Sequence, residues 1–158
     1  MVKAVFPGSF DPPTYGHINV IDRAVRLFDE VYIVIANNIN KAYFCNASER
    51  YEMMKAITAG YENVSVHIWD SLIVDFAKEN NARVLIRGVR ALADFNYEFE
   101  LSMINKGLNP DIETIFIPTD PQYFVLRSSS IKEVAKMGGD ISNMVPPGVE
   151  KVIINKIT

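Results

Sequence analysis

The sequence predicts an α/β fold in which one doubly wound, parallel sheet forms a single domain over residues 1–158. Short apolar runs alternate with helical patterns about five times along the chain. Those runs are almost uniformly apolar, as strands are when helices cover both faces of a sheet. No internal repeat, low-complexity tract or linker interrupts the alternation. The length of 158 residues also suits one domain, since domains usually contain roughly 100–200 residues.

The predicted elements follow one another in a regular order. Continuous apolar runs indicate strands, and apolar residues three or four positions apart indicate helices. Strands are predicted over residues 2–6, where Pro7-Gly8 ends the run, and over 31–35, 64–69, 84–86 and 112–117. Helices are predicted from His17 through Phe28, from Ser48 to a stop near Gly60, over 72–78 and 93–108, after Ser128, and after Pro146-Pro147.

The helix predicted over 93–108 is apolar on two faces. A helix in a domain of this size needs only one apolar face to pack against its sheet. We therefore expect the second face to be buried against another subunit. At 100° per residue, one face contains Leu92, Phe95, Phe99 and Met103, and the other contains Tyr97, Leu101, Ile104 and Leu108.

Composition excludes several classes of protein. The formal net charge is −3, so no basic field is available to bind a nucleic-acid backbone. Cys45 is the only cysteine, which rules out an intrachain disulfide. The apolar run at the N-terminus is too short for a signal peptide, and no stretch approaches the ~18 apolar residues of a membrane span. We expect a cytoplasmic protein with no membrane or nucleic-acid partner.

The functional residues are expected at one edge of the sheet. In open parallel sheets ligands bind beyond the carboxyl ends of the strands. Here those ends follow Phe6, Ile35, Ile86 and Ile117. The polar motifs of the chain lie at these four places.

The loop after the first strand has the features of a phosphate site. It runs from Pro7 to His17, and its glycines and prolines give it a restricted shape. Gly16 allows close approach of the backbone, and His17 stands in the first turn of the next helix, where free amides favour an anion. Ser9 adds a hydroxyl. A lone histidine there would more often only cap or pack the helix, but its place in this loop favours contact with a phosphate.

Three segments carry a resemblance to a known family. Gly8–His17 fits the pattern G-[ST]-F-D-P-x-T-x-G-H of adenylyltransferases, and Arg127–Lys132 fits their serine-rich stretch ahead of a cation. Between them, Arg87–Glu98 fits the more specific pattern R-G-[LV]-R-x-x-x-D-[FY]-x-Y-E. With these motifs in the same order over essentially the whole chain, the sequence resembles the bacterial phosphopantetheine adenylyltransferases, which have a Rossmann-like nucleotidyltransferase fold.

The resemblance implies a reaction. The family transfers the adenylyl group of ATP to 4′-phosphopantetheine, which gives dephospho-coenzyme A and pyrophosphate in the penultimate step of coenzyme A biosynthesis. Attack is direct and in line, and such a transfer needs positioning and charge neutralisation more than a protein nucleophile. Mg²⁺ would be bound mainly through the ATP phosphates, since the sequence contains no dedicated carboxylate cluster. The resemblance also implies a homohexamer, with coenzyme A as a candidate feedback ligand.

Residue roles carried over from the family concentrate at the strand ends. His17 would stabilise the transition state at the α-phosphate, Lys41 would orient both phosphates, and Arg90 would contact the phosphates of ATP. The acceptor would be bound by Ser9, Lys41 and Arg87, and by Ile73 at the pantetheine pocket. The remaining ATP contacts implied are Ser9, Phe10, Gly88, Val89, Glu98, Tyr123, Phe124, Val125, Leu126, Arg127, Ser128 and Ser129. Arg87 and Arg90 should need partners, for which phosphate is the natural bidentate choice.

The chain departs from the family pattern at four positions. Arg127 replaces a serine, so either it adds a phosphate contact or the loop is rearranged. Ile39 replaces a proline, which should loosen the loop before Lys41. Ser48 replaces the first glutamate of a Glu-Glu-Arg run and is predicted to be an N-cap. Phe124 stands where a small polar residue is more typical.

Two alternatives stay open. A related transferase could use another acceptor, such as nicotinate mononucleotide or glycerol phosphate, although the Arg87–Glu98 segment disfavours it. A non-catalytic nucleotide-binding module is disfavoured because binding alone does not need both His17 and Lys41. A dinucleotide-binding dehydrogenase and a P-loop protein are disfavoured because neither glycine motif is present.

Overall fold

A computed structural model describes all residues, Met1–Thr158, and contains five strands and six α-helices. In chain order they are β1 Lys3–Gly8, α1 Tyr15–Leu27, β2 Glu30–Ala36, α2 Ala47–Thr58, β3 Val64–Trp69, α3 Ile73–Glu79, β4 Val84–Val89, α4 Leu92–Leu108, β5 Glu113–Pro118, α5 Ser128–Lys136 and α6 Pro147–Ile157. A 3₁₀ turn at Pro121–Tyr123 lies between β5 and α5. No helix is both long and apolar enough to cross a membrane.

The five strands form one parallel sheet in the order β3-β2-β1-β4-β5. Strand order reverses at β1, so the crevice between the ends of β1 and β4 is the switch point at which such sheets bind ligands. Alternate residues of β1 face opposite sides. Ala4 and Phe6 join an apolar cluster with α1, whereas Val5 joins one with α3. The prediction of a doubly wound parallel sheet is confirmed.

A third apolar cluster lies outside the sheet and is formed mainly by helices α5 and α6. Ile131 and Ile153 are buried there against Met53 of α2, and Leu126 joins them from the segment after β5. This packing anchors the segment that precedes α5 to the side of the molecule that also carries α1 and α2.

Three local predictions were wrong, and the simplest concerns β4, which was predicted to end at Ile86 but continues to Val89. The N-cap of α2 is Asn46 and not Ser48, because the side chain of Asn46 accepts from the amide of Glu49 while the Glu49 carboxylate accepts from the amide of Asn46. This reciprocal capping box satisfies two amides, which one serine inside the helix cannot do. Strand β1 also continues through Pro7 and Gly8. Its pairing with β4 covers only Ala4 and Val5, whereas its pairing with β2 extends to Gly8. The proline therefore lies where one neighbouring strand has already diverged.

Candidate active site

The carboxyl ends of β1, β4 and β5 and the loop after β2 surround one cleft of about 700 Å³. Among the residues implied by the family resemblance, it is lined by Ser9, His17, Lys41, Arg87, Arg90 and Glu98. Phe10, Gly88, Leu126, Arg127, Ser128 and Ser129 line it as well. Residues separated by more than a hundred positions in the chain therefore meet in one space, as the parallel topology requires.

His17 is held in one orientation by the start of α1. It occupies the third position of the helix, and Thr14 is the N-cap. The amide of Thr14 donates to Nδ1 of His17 at 3.0 Å, while the amide of His17 donates to Oγ1 of Thr14 at 3.3 Å. Because Nδ1 accepts, the neutral imidazole carries its proton on Nε2. His17 is thus built as a hydrogen-bond donor.

The environment of His17 keeps that imidazole neutral. The residue is half-buried, and its ring packs edge-on against Phe10 with the ring centroids 4.9 Å apart. Burial lowers the pKa of His17 from 6.5 to about 4, with a further contribution from the positive charges of Arg90 and Arg87. A neutral donor next to two cations suits a phosphoryl oxygen that gains charge during reaction.

Phe10 shapes the loop ahead of His17. Its side chain is buried, and its φ of 49° lies in the left-handed region that large residues rarely adopt. The ring packs edge-on against Phe6 at 5.5 Å as well as against His17. This packing offsets the unfavourable backbone conformation and fixes Ser9 and Asp11 on either side.

Arg87 and Glu98 form a bidentate ion pair at the end of β4. Nε and Nη2 of Arg87 donate to the two carboxylate oxygens of Glu98 at 2.6 and 2.7 Å, and Nη1 donates to the carbonyl of Pro7 at 2.7 Å. The bidentate partner expected for this arginine was a phosphate, but in the structure a carboxylate holds it. Since a guanidinium has five N–H donors, two remain for a ligand.

Arg90 links α4 to the segment after β5. Nε and Nη2 donate to the carboxylate of Asp94, and Nη1 donates to the carbonyl of Leu126 at 2.9 Å. The carboxylates of Glu98 and Asp94 therefore compensate the charges of Arg87 and Arg90. Lys41, which lies exposed on the loop after β2, forms no ion pair.

The serine-rich segment meets the cleft at the start of α5. Ser128 and Ser129 line the cleft, and the hydroxyl of Ser128 donates to the carbonyl of Pro12 at 2.9 Å. Arg127 occupies the N-cap position of α5 without a side-chain cap bond and is exposed. The first amides of any helix lack partners within it, and Ser128 and Ser129 place this helix start at the cleft.

Five other residues named from the resemblance lie outside the cleft lining. Ile73 packs against the apolar cluster beneath α3, and the other four are Val89, Tyr123, Phe124 and Val125. Phe124 and Val125 are exposed over 56% and 68% of their surfaces. These residues are still neighbours of lining residues in the chain, since Val89 lies between Gly88 and Arg90 and the 3₁₀ turn precedes Leu126.

Sequence reasoning assigned no role to several residues that shape the site. Thr14 orients His17, Asp94 holds Arg90, and Asp11 accepts from the amides of Phe44 and Cys45 at 2.8 Å. Lys132 lies 3.6 Å from Asp11 at the cleft edge. Thr14 could have been identified, because a threonine three residues before His17 fits the spacing of a capping box. The others depend on contacts between distant segments.

No group of three or more histidine, cysteine, aspartate or glutamate residues is arranged to hold a metal ion. The carboxylates that line the cleft already accept from Arg87, Arg90 or backbone amides, and that of Asp11 also forms an ion pair with Lys132.

Comparison with known proteins supports the resemblance. A cytidylyltransferase-like family model matches residues 5–134. A phosphopantetheine adenylyltransferase of Caldanaerobacter subterraneus is 44% identical over 156 residues, covering 99% of this chain and 98% of the relative. Those of Rubrobacter xylanophilus and Treponema pallidum are each 43% identical, over 95% and 99% of this chain and 92% and 99% of theirs.

Among solved structures, a chain from Vibrio parahaemolyticus described as a nicotinate-nucleotide adenylyltransferase superposes with a TM-score of 0.72. It covers 98% of this chain and 93% of its own length at 22% identity, a likeness that shows the shared fold alone. Because the sequence relatives match over almost their whole length, this chain belongs to the phosphopantetheine adenylyltransferase family of nucleotidyltransferase enzymes.

Proposed function

We propose that this enzyme transfers the adenylyl group of ATP to 4′-phosphopantetheine, which yields dephospho-coenzyme A and pyrophosphate. One observation carries the proposal: a single cleft brings together the neutral donor His17, Lys41 and the Arg87 and Arg90 pair. Such a set can position two polyanions and neutralise the charge between them. The names of the relatives supply the acceptor.

In the proposed mechanism the acceptor phosphate attacks the α-phosphorus of ATP in line, and pyrophosphate leaves. Lys41 is a mobile point charge on a loop, suited to orient the incoming phosphate beside the α-phosphate. His17 donates from Nε2 to an α-phosphoryl oxygen as negative charge accumulates there. It acts as a transition-state stabiliser and not as a nucleophile, since Nε2 carries the proton and Nδ1 already accepts from the amide of Thr14.

Of the other cleft residues, some are proposed to bind the acceptor and others to bind ATP. Arg87 retains two N–H donors for the acceptor, and Ser9 adds its hydroxyl on the same side. The start of α5, with Ser128 and Ser129, offers hydroxyls and amides to the β- and γ-phosphates. Arg90 joins the segment before α5 to α4. We therefore expect ATP binding to make both the start of α5 and the start of α4 more rigid.

Mg²⁺ is proposed to arrive with ATP, bound by the phosphates and water. The residues of the cleft fit this role, since they include no three-residue metal cluster and their carboxylates already have partners. The ion would reduce the negative charge of the triphosphate. Activity should therefore disappear in excess chelator and return with added Mg²⁺, and turnover that persists without a divalent ion would contradict the proposal.

A homo-oligomer, a hexamer by family resemblance, is proposed as the working state in the cytoplasm. The support is α4, whose only buried residue is Glu98. Phe99, Met103 and Ile104 are each about half exposed or more in a single chain. Coenzyme A contains both an adenylate and a pantetheine, so we expect it to compete for the cleft as a feedback ligand.

A panel of acceptors tests the proposed reaction. Pyrophosphate release is measured with ATP and either 4′-phosphopantetheine, nicotinate mononucleotide or glycerol phosphate. We expect turnover with phosphopantetheine only, and dephospho-coenzyme A identified by mass. Preference for another acceptor would replace the substrate assignment, and ATP binding without turnover on any acceptor would favour a nucleotide-binding module. A His17→Ala variant is the control for contaminating activity.

A further inference from the structure

Arg50 of α2 is the largest fully buried side chain, with no exposed surface. A buried guanidinium is costly unless its charge and its donors find partners. No carboxylate lies within 4.0 Å of it, because none of the seven ion pairs of the chain includes Arg50. The chain retains an unpaired positive charge here, so the contacts of Arg50 should reveal a role.

Those contacts are backbone carbonyls from separate segments. Nη1 donates to the carbonyl of Ser9 at 2.9 Å and to that of Ala36 at 3.0 Å, while Nε donates to the carbonyl of Cys45 at 3.1 Å. Nη2 donates to Oδ1 of Asn37 at 3.0 Å. One side chain thereby joins the loop after β1 to both ends of the loop that carries Lys41.

Tyr43 connects Arg50 to Lys41 itself. The guanidinium carbon of Arg50 lies 3.9 Å from the centroid of the Tyr43 ring, and Nζ of Lys41 lies 5.6 Å from the same centroid. The hydroxyl of Tyr43 accepts from the amide of Asn38 at 2.9 Å. The ring is therefore fixed by Arg50 and by the loop backbone, and it contacts the ammonium through a cation–π interaction.

We infer that Arg50 is a positioning residue that sets the distance between Ser9 and Lys41. The inference rests on the proposed function, in which these two residues orient the attacking phosphate. A planar fork of donors can span carbonyls that diverge from two strand ends, whereas the three donors of lysine radiate from one nitrogen. Because a displacement of about 1 Å at a site can cost about 100-fold in rate, holding this distance matters for turnover.

A labelling experiment tests the structural half without any substrate. Cys45, the only thiol, is buried beside Arg50, and burial raises its pKa to about 11. Its reaction with a disulfide reagent such as dithiobisnitrobenzoate therefore reports opening of the loop. We compare wild type with Arg50→Lys and with the milder Tyr43→Leu. The matched control is Lys55→Met, which removes an exposed cation over the ring of Tyr51 on the same helix.

We expect Arg50→Lys to label at least about 10-fold faster than wild type while its circular dichroism stays native, because the loop opens more often. Tyr43→Leu should label faster by a smaller factor, and Lys55→Met should label like wild type. A folded Arg50→Lys protein whose thiol reacts at the wild-type rate would overturn the inference, even if the enzyme proved to use another acceptor. Should Arg50→Lys fail to fold, the Tyr43→Leu comparison decides in the same way.

The kinetic half separates positioning from general destabilisation. We expect Arg50→Lys to lower kcat about 10- to 100-fold with little change in the KM for ATP. In a Lys41→Ala background the same change should cost only a few-fold, because the residue it acts through is already lost. Equal losses in both backgrounds, or kcat within about twofold of wild type, would contradict positioning through Lys41. Absence of turnover in wild type would instead refute the proposed function and leave the labelling result standing.

Discussion

Helices α1 and α4 both flank the cleft, but the chain supports them differently. Helix α1 begins with a reciprocal Thr14–His17 capping box and buries Val20, Ile21 and Ala24 against the sheet. Helix α4 begins without a side-chain cap and buries only Glu98. It is nevertheless rich in apolar residues, most of which stay exposed in one chain.

The difference shows how the two sides of the site are stabilised. His17 is held by local bonds within its own helix, so its geometry should survive changes elsewhere. Arg87 and Arg90 are held by Glu98 and Asp94 of α4. The apolar faces of this helix are exposed in a single chain. We therefore expect the histidine side to govern chemistry directly, and the arginine side to depend on fold stability and assembly.

The largest effect is expected on the α1 side. His17→Ala should cut kcat by ~10²–10³ or more, as loss of one oxyanion donor does, while the Kd for ATP changes little. Steady-state kinetics and ATP titration measure the two quantities. His67→Ala, which removes the other histidine on β3, is the control and should keep wild-type kcat. A proportional loss of ATP affinity would show that His17 only binds.

On the α4 side, Glu98→Gln should mainly affect stability. It leaves the half-buried Arg87 without its carboxylate, and breaking a buried pair from one side costs about 3 kcal/mol. Urea unfolding at fixed protein concentration gives the free energy of unfolding. Glu100→Gln on the exposed side of α4 should change it by no more than about 0.5 kcal/mol. Equal stability of the two variants would mean that the ion pair does not hold α4.

Assembly should respond to charge on the exposed surface of α4. Met103→Glu places a carboxylate on a side chain that is 59% exposed in one chain, and sedimentation velocity should show loss of the oligomer. Met137→Glu is the matched control, since that methionine is 88% exposed beyond α5. An oligomer that persists in Met103→Glu would exclude this surface of α4 as the interface. A wild-type protein that sediments as a monomer would refute the assembly itself.

The last expected effect concerns pH. His17 has its pKa lowered to about 4 in the folded protein, chiefly by burial, against 6.5 when unfolded. Between these values the unfolded chain binds a proton that the folded chain excludes. The contribution of His17 to the free energy of unfolding is therefore at its maximum above about pH 6.5 and falls as the pH is lowered towards 4. The difference in unfolding free energy between wild type and His17→Gln should change over this window. A constant difference would show that the folded imidazole titrates normally.

Much of the fold was predictable because it depends on local patterns. The apolar runs identified all five strands, and periodicity together with start signals identified the helices, with the ends of β1 and β4 placed short by two and three residues. The prediction that Ser48 caps α2 was wrong because Asn46 and Ser48 are both residues that can cap a helix. Asn46 is the cap because the Glu49 side chain accepts from its amide. Family motifs placed His17, Lys41 and Arg90 among the candidate site residues, and the three line one cleft in the structure.

The sequence by itself determined the alternation of elements, the end of the sheet that carries the site, and the family. Those properties reside in the hydrophobic pattern and in short motifs. Only the tertiary structure decided which charges meet. It paired Arg87 with Glu98 and placed Arg50 against three carbonyls without a carboxylate. The reason is geometric, because a side chain finds such partners only after distant strand ends are brought within hydrogen-bond distance by the fold.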